Sequence, residues 1–250
     1  MKTRNPLAIL LISSLLFLSC SEDDNDNTNP DPDQGSGDPV SQTCDDPSKF
    51  IFNEKESFVL VEMENSKLPD KWALKTSNSA TGKGYYVWEG DQSLGKPGNG
   101  LIEFTIKINN PGNYRFLWNT AVTIGSNGTE HNDSWLKFPD ADDFYGEKKD
   151  GSRVYPKGSG KTPNPKGSSA DGWFKIYRGG NDLDFKWQAA TSDNDSHNVY
   201  VEFKKAGEYT MQVSARSTGH GIDKFMLFNE ANYSEKEAKE KATFSEITCN

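Results

Sequence analysis

Ile102-Glu103-Phe104-Thr105-Ile106-Lys107-Ile108 runs into Asn109-Asn110-Pro111-Gly112-Asn113 and then Tyr114-Arg115-Phe116-Leu117-Trp118. Alternation of apolar and polar side chains places four aliphatic or aromatic groups of the first segment on one face, the period of a half-buried strand. Pro111 and Gly112 supply the backbone angles of a turn, and Tyr114, Phe116 and Trp118 then alternate in their own right. The stretch 101–119 is predicted to be a hairpin. The form recurs at Val199, Val201 and Phe203, a turn at Lys204-Lys205-Ala206-Gly207, and Tyr209, Met211, Val213 and Ala215.

Working outward, further strands are expected at 57–64, 84–89, 134–138, 172–177, 183–188 and 222–228. Ten or so short strands with turns every 8–12 residues predict an all-β chain folded as a β-sandwich or jelly roll. The run from Pro139 to Asp171, rich in Asp, Lys, Gly and Pro, shows no strand period. It is expected to be a long irregular excursion around 139–171, the kind of loop that is functional or mobile. Tyr233–Lys241 is the only helical candidate, with Glu and Lys at i,i+4 spacing.

The two ends of the chain carry separate messages. Lys2 and Arg4, the apolar stretch Leu7–Leu18 and Ser19-Cys20 have the form of a bacterial lipoprotein signal. Residues 1–19 would be removed and Cys20 would carry lipid; a plain secretory signal with an incidental cysteine is the alternative. Residues 20–43 are acidic and rich in Asn, Pro and Gly, with too little apolar surface to fold, and form a tether. This run resembles the acidic export signal that surface lipoproteins of Bacteroidetes carry after their lipidated cysteine. The resemblance implies the outer membrane and the cell surface, with the lipid anchor as the only membrane contact.

The chain has 28 Lys and Arg against 37 Asp and Glu; residues 1–46 hold two of the bases and nine of the acids, leaving 26 against 28. The part expected to fold is therefore near neutral and has no electrostatic footprint for nucleic acid. Cys44 and Cys249 bracket one domain, 44–250. In an oxidising compartment they are expected to form a disulfide, with two free thiols as the alternative. Closing a loop of about 200 residues would constrain the unfolded chain by about 4–5 kcal/mol.

Phe58-Val59-Leu60-Val61-Glu62-Met63-Glu64-Asn65 resembles the opening strand of carbohydrate-binding modules of families 6 and 35 in the galactose-binding-like superfamily. Gly84-Tyr85-Tyr86-Val87-Trp88 resembles their next landmark, 101–119 with Pro111-Gly112-Asn113-Tyr114 at its turn their central hairpin, and Gly221-Ile222-Asp223-Lys224-Phe225 their closing strand. The resemblance spans about 57–229 apart from the long excursion, and implies a structural Ca²⁺ held by Glu62, Glu64 and Asp223. On a strand, Glu62 and Glu64 leave one face about 6–7 Å apart, and calcium takes roughly six to eight oxygens. Solvated strand-edge acids and the acid–base pair of a retaining glycosidase are the competing readings of the same residues. Asp193-Asn194-Asp195 is a weaker calcium-loop candidate, or an ordinary Asx-rich turn.

A sugar site needs an aromatic face for ring C–H groups and directed polar groups for hydroxyls. The resemblance puts an aromatic at Trp88 and a second at Trp187. Trp135 also lies near a strand end, whereas Trp118 shares a face with Tyr114 and Phe116 and is expected in the core. His131, Asn132, Asp133, Arg216 and His220 supply the polar set, although Gly221 stands where family 6 has a sugar-binding Asn. Arg216 and the lysines of the excursion would suit sulfated or uronic-acid sugars.

The sequence thus predicts a monomeric, non-catalytic polysaccharide-binding lipoprotein working beside surface glycan-degrading enzymes and uptake proteins. A glycosidase or lyase and an adhesive module without a sugar site are the rivals; no nucleophile elbow, HExxH or zinc-spaced Cys/His set is present.

Overall fold

The computed structural model describes residues 44–249. The expected signal peptide (1–19), the expected lipidation site Cys20 and the expected tether (20–43) lie outside the described residues. Within them, the chain forms β1 (Phe50–Asn53), β2 (Phe58–Glu62), β3 (Trp72–Lys75), β4 (Tyr85–Trp88), β5 (Ile102–Ile108), β6 (Gly112–Val122), β7 (Asp133–Lys137), β8 (Asp143–Glu147) and β9 (Arg153–Val154). Then follow β10 (Ser169–Ala170), β11 (Trp173–Tyr177), β12 (Lys186–Trp187), β13 (Ala190–Thr191), β14 (His197–Phe203), β15 (Gly207–Ser214), β16 (His220–Phe228), α1 (Glu235–Glu240) and β17 (Glu246–Cys249).

The fold is an all-β sandwich. One sheet runs β2–β16–β6–β14–β8–β9, with β4 beside the start of β16, β3 beyond β4, and β12 on the end of β6. The other runs β17–β1–β5–β15–β7–β11–β10. Two-residue β13 pairs with both β11 and β14 and so stitches the sheets together along one side. Every pairing is antiparallel except β1 beside β5. The inward residues of β5 and β16 meet across the core, where Phe104 packs edge-on against Phe225 at 4.9 Å, and on the neighbouring β6 Phe116 packs edge-on against Trp118 at 5.5 Å.

The alternation of 101–119 marks strands and faces correctly, but the two segments are not a hairpin. β5 pairs with β1 and β15, whereas β6 pairs with β16, β14 and β12, so Asn109–Pro111 is an arch crossing from one sheet to the other. The same holds for β14 and β15. Each arch is fastened by a tyrosine hydroxyl donating to a carbonyl four residues upstream, Tyr114 to Asn110 (2.6 Å) and Tyr209 to Lys205 (2.9 Å). This is the corner found where a chain changes sheets. The first arch is also gripped by the buried Glu54, whose carboxylate accepts from the backbone N–H groups of Asn109 (2.8 Å) and Asn110 (2.7 Å).

The run expected to be irregular at 139–171 contributes three strands. β8 lies fully in the first sheet with Tyr145 stacked on Tyr200 at 5.7 Å, and β9 and β10 edge the two sheets. Cys44 and Cys249 are bonded with Cα atoms 5.8 Å apart, inside the span that a disulfide allows, and tie the two ends of the domain together. α1 occupies the expected place and starts from a Ser234/Glu237 capping box.

Candidate functional site

The three predicted calcium ligands gather by a route that strand spacing did not foresee. β2 ends at Glu62, and Met63–Asn65 turns as a short 3₁₀ helix, so Glu64 leaves a turn and not the strand. Asp223 sits at the irregularity in β16 between the pairings of Ile222 and Lys224 with β6, a bulge that re-aims one side chain. The Thr81 hydroxyl donates to Glu62 Oε1 (2.6 Å), the Thr81 N–H to Asp223 Oδ1 (3.0 Å), and the Lys83 N–H to Glu64 Oε1 (2.6 Å). Gly82 holds a left-handed φ of 62° in the middle of this loop, and a Cβ there would come within 3.3 Å of the Glu62 carboxyl carbon. Only glycine fits both demands.

Burial pushes Glu62 up to about 7 and raises Glu64 and Asp223 from their ordinary values. Glu62 Oε2 and Glu64 Oε2 are buried without a hydrogen-bond partner. Lys224 Nζ, 3.2 Å from Asp223 Oδ2, offsets one of the three charges. Buried orphan carboxylate oxygens are a chemistry that a hard divalent cation satisfies. Among the described residues, however, no three His, Cys, Asp or Glu side chains are grouped as a metal centre; the Thr81 hydroxyl bridges Glu62 and Asp223, and Lys224 pairs with Asp223. At the weaker calcium-loop candidate, Asp193 pairs with Lys175 and Asp195 with Lys148.

Two predicted platforms are corrected. Trp88 is 1% exposed; its indole N–H donates to the Asp91 carbonyl (2.9 Å) and its ring meets Trp72 edge-on at 5.6 Å. Trp135 is 0% exposed and donates to the Ser93 carbonyl (2.9 Å). Both rings complete the core, so neither offers a face to a ligand. Trp118 is in the core as expected, and Trp187 is half-buried against it. His220 is also corrected. It is fully buried, bonded through Nδ1 to the Ser134 hydroxyl (2.9 Å), packed on Trp118, and held neutral as burial drives its pKa down to about 3.

The rest of the polar set does come together. His131, Asn132, Asp133 and Arg216 line one depression of about 370 Å³, with Gln92, Leu94, Thr129, Glu130 and Ser217. Most of these groups are already engaged. Asn132 donates its amide to the Arg178 carbonyl (2.6 Å), while the buried Asp133 accepts from Arg216 (2.5 Å) on one oxygen and from the Ser217 hydroxyl (2.5 Å) on the other. His131, at a left-handed φ of 54°, donates from Nδ1 to the Thr218 carbonyl (2.8 Å), so its other ring nitrogen carries no proton when the ring is neutral.

A second depression of about 430 Å³ lies on the other side of the segment 216–219, lined by Lys75, Tyr85, Val87, Trp88, Glu89, Thr123, Ile124, Thr218 and Gly219. Trp88 borders it while keeping its ring inside. Tyr85 is the aromatic that faces outward here. Its ring packs edge-on against Phe185 at 5.0 Å, and a Cβ at Gly221 would meet that ring at 3.1 Å. Gly221 is therefore the floor on which Tyr85 lies. Ile124, 41% exposed, extends the apolar surface, and Lys75 pairs with Glu89 at 2.7 Å. Tyr85 and Phe185 were not singled out from sequence. Strand parity was the available signal, since Tyr86 and Trp88 share one face of β4 and turn inward, leaving Tyr85 on the other.

No known family model and no curated protein matches the chain. Among solved structures, the chain is similar to a Podospora anserina GH26-CBM35 β-(1,4)-mannanase (14% identity, 72% of this chain and 29% of that chain, TM-score 0.44). It is similar also to an Arthrobacter globiformis T6 isomalto-dextranase complexed with panose (12%, 70% and 24%, TM-score 0.37). A third is a family 6 carbohydrate-binding module from Clostridium cellulolyticum in complex with xylose (7%, 69% and 98%, TM-score 0.35). The chain thus spans less than a third of either enzyme. All three TM-scores lie below 0.5, too low to carry a functional argument.

Proposed function

We propose that this domain is a non-catalytic glycan-binding module whose site is the corner formed by Tyr85 and Phe185. One observation carries the reading: Tyr85, packed edge-on against Phe185, lines a depression of about 430 Å³, beside a second depression rimmed with hydrogen-bonding side chains. Aromatic faces take the C–H surfaces of sugar rings, and the threonine hydroxyls and backbone groups of the 216–219 segment suit ring hydroxyls. The size suits a ligand site, which typically encloses about 300–1,000 Å³. The sequence resemblance to family 6 and 35 modules supports the same class of ligand. An enzyme is the weaker reading because glycosidases need two carboxyl groups flanking the scissile bond. Glu89 and Asp133 in the linings are each held by a cation, which leaves Glu130 alone.

The full reading joins this module to the features outside the described residues. Lipid on Cys20 and the acidic tether place it on the outer face of the outer membrane as a monomer, where it holds polysaccharide for degrading and uptake proteins. Glu62, Glu64 and Asp223 would hold a Ca²⁺ once the Thr81 hydroxyl and the Lys224 ammonium give way, and the ion would then neutralise their buried charge.

Tyr85→Ala is expected to weaken binding to the polysaccharides that retard the domain in affinity electrophoresis by tenfold or more, about 1.4 kcal/mol. Its melting temperature should stay near that of the parent, since the side chain is only half-buried. Unchanged affinity in that variant, or new reducing ends released by the parent protein, would overturn the proposal. For the metal, EDTA should lower the melting temperature and added Ca²⁺ restore it, because a ligand held only by the folded state stabilises that state. An identical melting curve with and without chelator would remove calcium from the account.

A further inference from the structure

Resting on the glycan-binding reading, we infer that the site takes uncharged saccharides and discriminates against sulfated and uronic-acid ones. The reason is the charge state of its walls. Among the described residues, Lys75 is the only Lys or Arg lining the aromatic depression and Arg216 the only one lining the polar depression. Each is already matched by a carboxylate, Lys75 by Glu89 at 2.7 Å and Arg216 by Asp133 at 2.5 Å.

The two pairs resist an anion for different reasons. Arg216 is buried, and its fork is further occupied by the Ser168 hydroxyl (3.2 Å) and laid over the Trp135 ring (5.4 Å). Recruiting it to a sulfate would strand Asp133 in the interior, and an unpaired buried charge is strongly unfavourable. Lys75 is about half exposed and its pair is weak in itself. An incoming anion at Lys75 nevertheless meets Glu89 at the same distance scale, so the local field that would attract it is cancelled.

Beside Phe185 the balance is the same, with Arg178 and Lys186 both on Asp182 at 3.0 and 2.6 Å and Asp184 adjacent, in no salt bridge among the described residues. Glu130, likewise in none among the described residues, adds a negative charge to the polar depression. The excursion lysines expected from sequence to greet acidic sugars line neither depression, and Lys148 and Lys161 are paired with Asp195 and Asp143. What remains to hold a ligand is aromatic and aliphatic surface with neutral donors and acceptors.

The test uses matched polysaccharides that differ only in charge, such as a galactan and its sulfated form, and a xylan with and without glucuronic acid branches. Binding is measured at about 10 mM salt, where surface electrostatics is least screened. The parent protein should bind a neutral member at least tenfold more tightly than its charged counterpart. Glu89→Gln, which leaves Lys75 unmatched, should raise the affinity for the charged member relative to the neutral one.

A parent protein that prefers the charged member and loses that preference in Lys75→Gln would overturn the inference while leaving the Tyr85 site intact. A Glu89→Gln variant with no gain would overturn the role assigned to the pair. Absence of binding to every member by both proteins would sink the glycan-binding reading itself, and the inference with it.

Discussion

Trp88→Ala will destabilise the domain by about 3–5 kcal/mol, the cost of emptying a large aromatic site in a packed interior. The indole is enclosed on all sides: Trp72 lies against it edge-on, its N–H is spent on the Asp91 carbonyl, and a Cβ added at Gly100 would come 2.6 Å from its ring. Against a total of about 5–15 kcal/mol for a typical domain, such a loss is a large part of the margin. Urea denaturation should show the midpoint shifting strongly with little change in slope. Calorimetric titration of the fraction still folded should return an affinity for glycan close to the parent value. A stable variant that no longer binds would show instead that the ring meets the ligand. Trp88→Phe, which keeps most of the volume, should recover part of the stability and provides the control if the alanine variant fails to fold.

Trp88 also shows where sequence reasoning stops. Alternation in 84–89 and 101–119 is enough to locate β4, β5 and β6 and to say which side chains share a face, because the two-residue period of a strand is local. It does not say which face turns inward when both carry aromatics, as with Tyr85 and Tyr86. That choice was decided by Gly221 on β16, across the sheet, which leaves room for the Tyr85 ring outside and so commits Trp88 to the interior.

Strand partners are less visible still. The turn at 109–113 has the composition of a hairpin, yet it is an arch, and the sign of this was a tyrosine just after the turn glycine. Gly112-Asn113-Tyr114 and Gly207-Glu208-Tyr209 share that spacing, and both hydroxyls reach back four residues. β8 escaped notice because Phe144 faces the core while Tyr145 is covered on the outside by Tyr200, so no apolar–polar period exists to be read. The polar loop was legible as a group, but not its inward commitments. Residue type says that Asp133 and Arg216 can bind a sugar; only their mutual burial shows that they bind each other first.

That pair yields the second large effect. Asp133→Ala should cost about 3–5 kcal/mol, the usual result of removing one partner of a buried ion pair and leaving the other charge uncompensated. The loss has two parts: Arg216 must be resolvated or left unmatched, and the Ser217 hydroxyl loses its acceptor. Replacing both members with apolar side chains, Asp133→Leu with Arg216→Met, should be far less damaging than either single change, since the desolvation cost of both ions disappears with them. A double-mutant cycle by urea denaturation separates these terms. Single changes whose costs simply add would mean that the two groups are not coupled. The same pair bolts the 131–133 loop to the 216–219 segment, alongside the Ser217 N–H to the Asp133 carbonyl (3.2 Å) and His131 to Thr218. Because that segment is the wall between the two depressions, Asp133→Ala should also weaken glycan binding in molecules that remain folded, with Tyr85 and Phe185 untouched. The apolar double variant should restore stability more fully than it restores affinity, because it refills the interior without rebuilding the polar fastening of the wall.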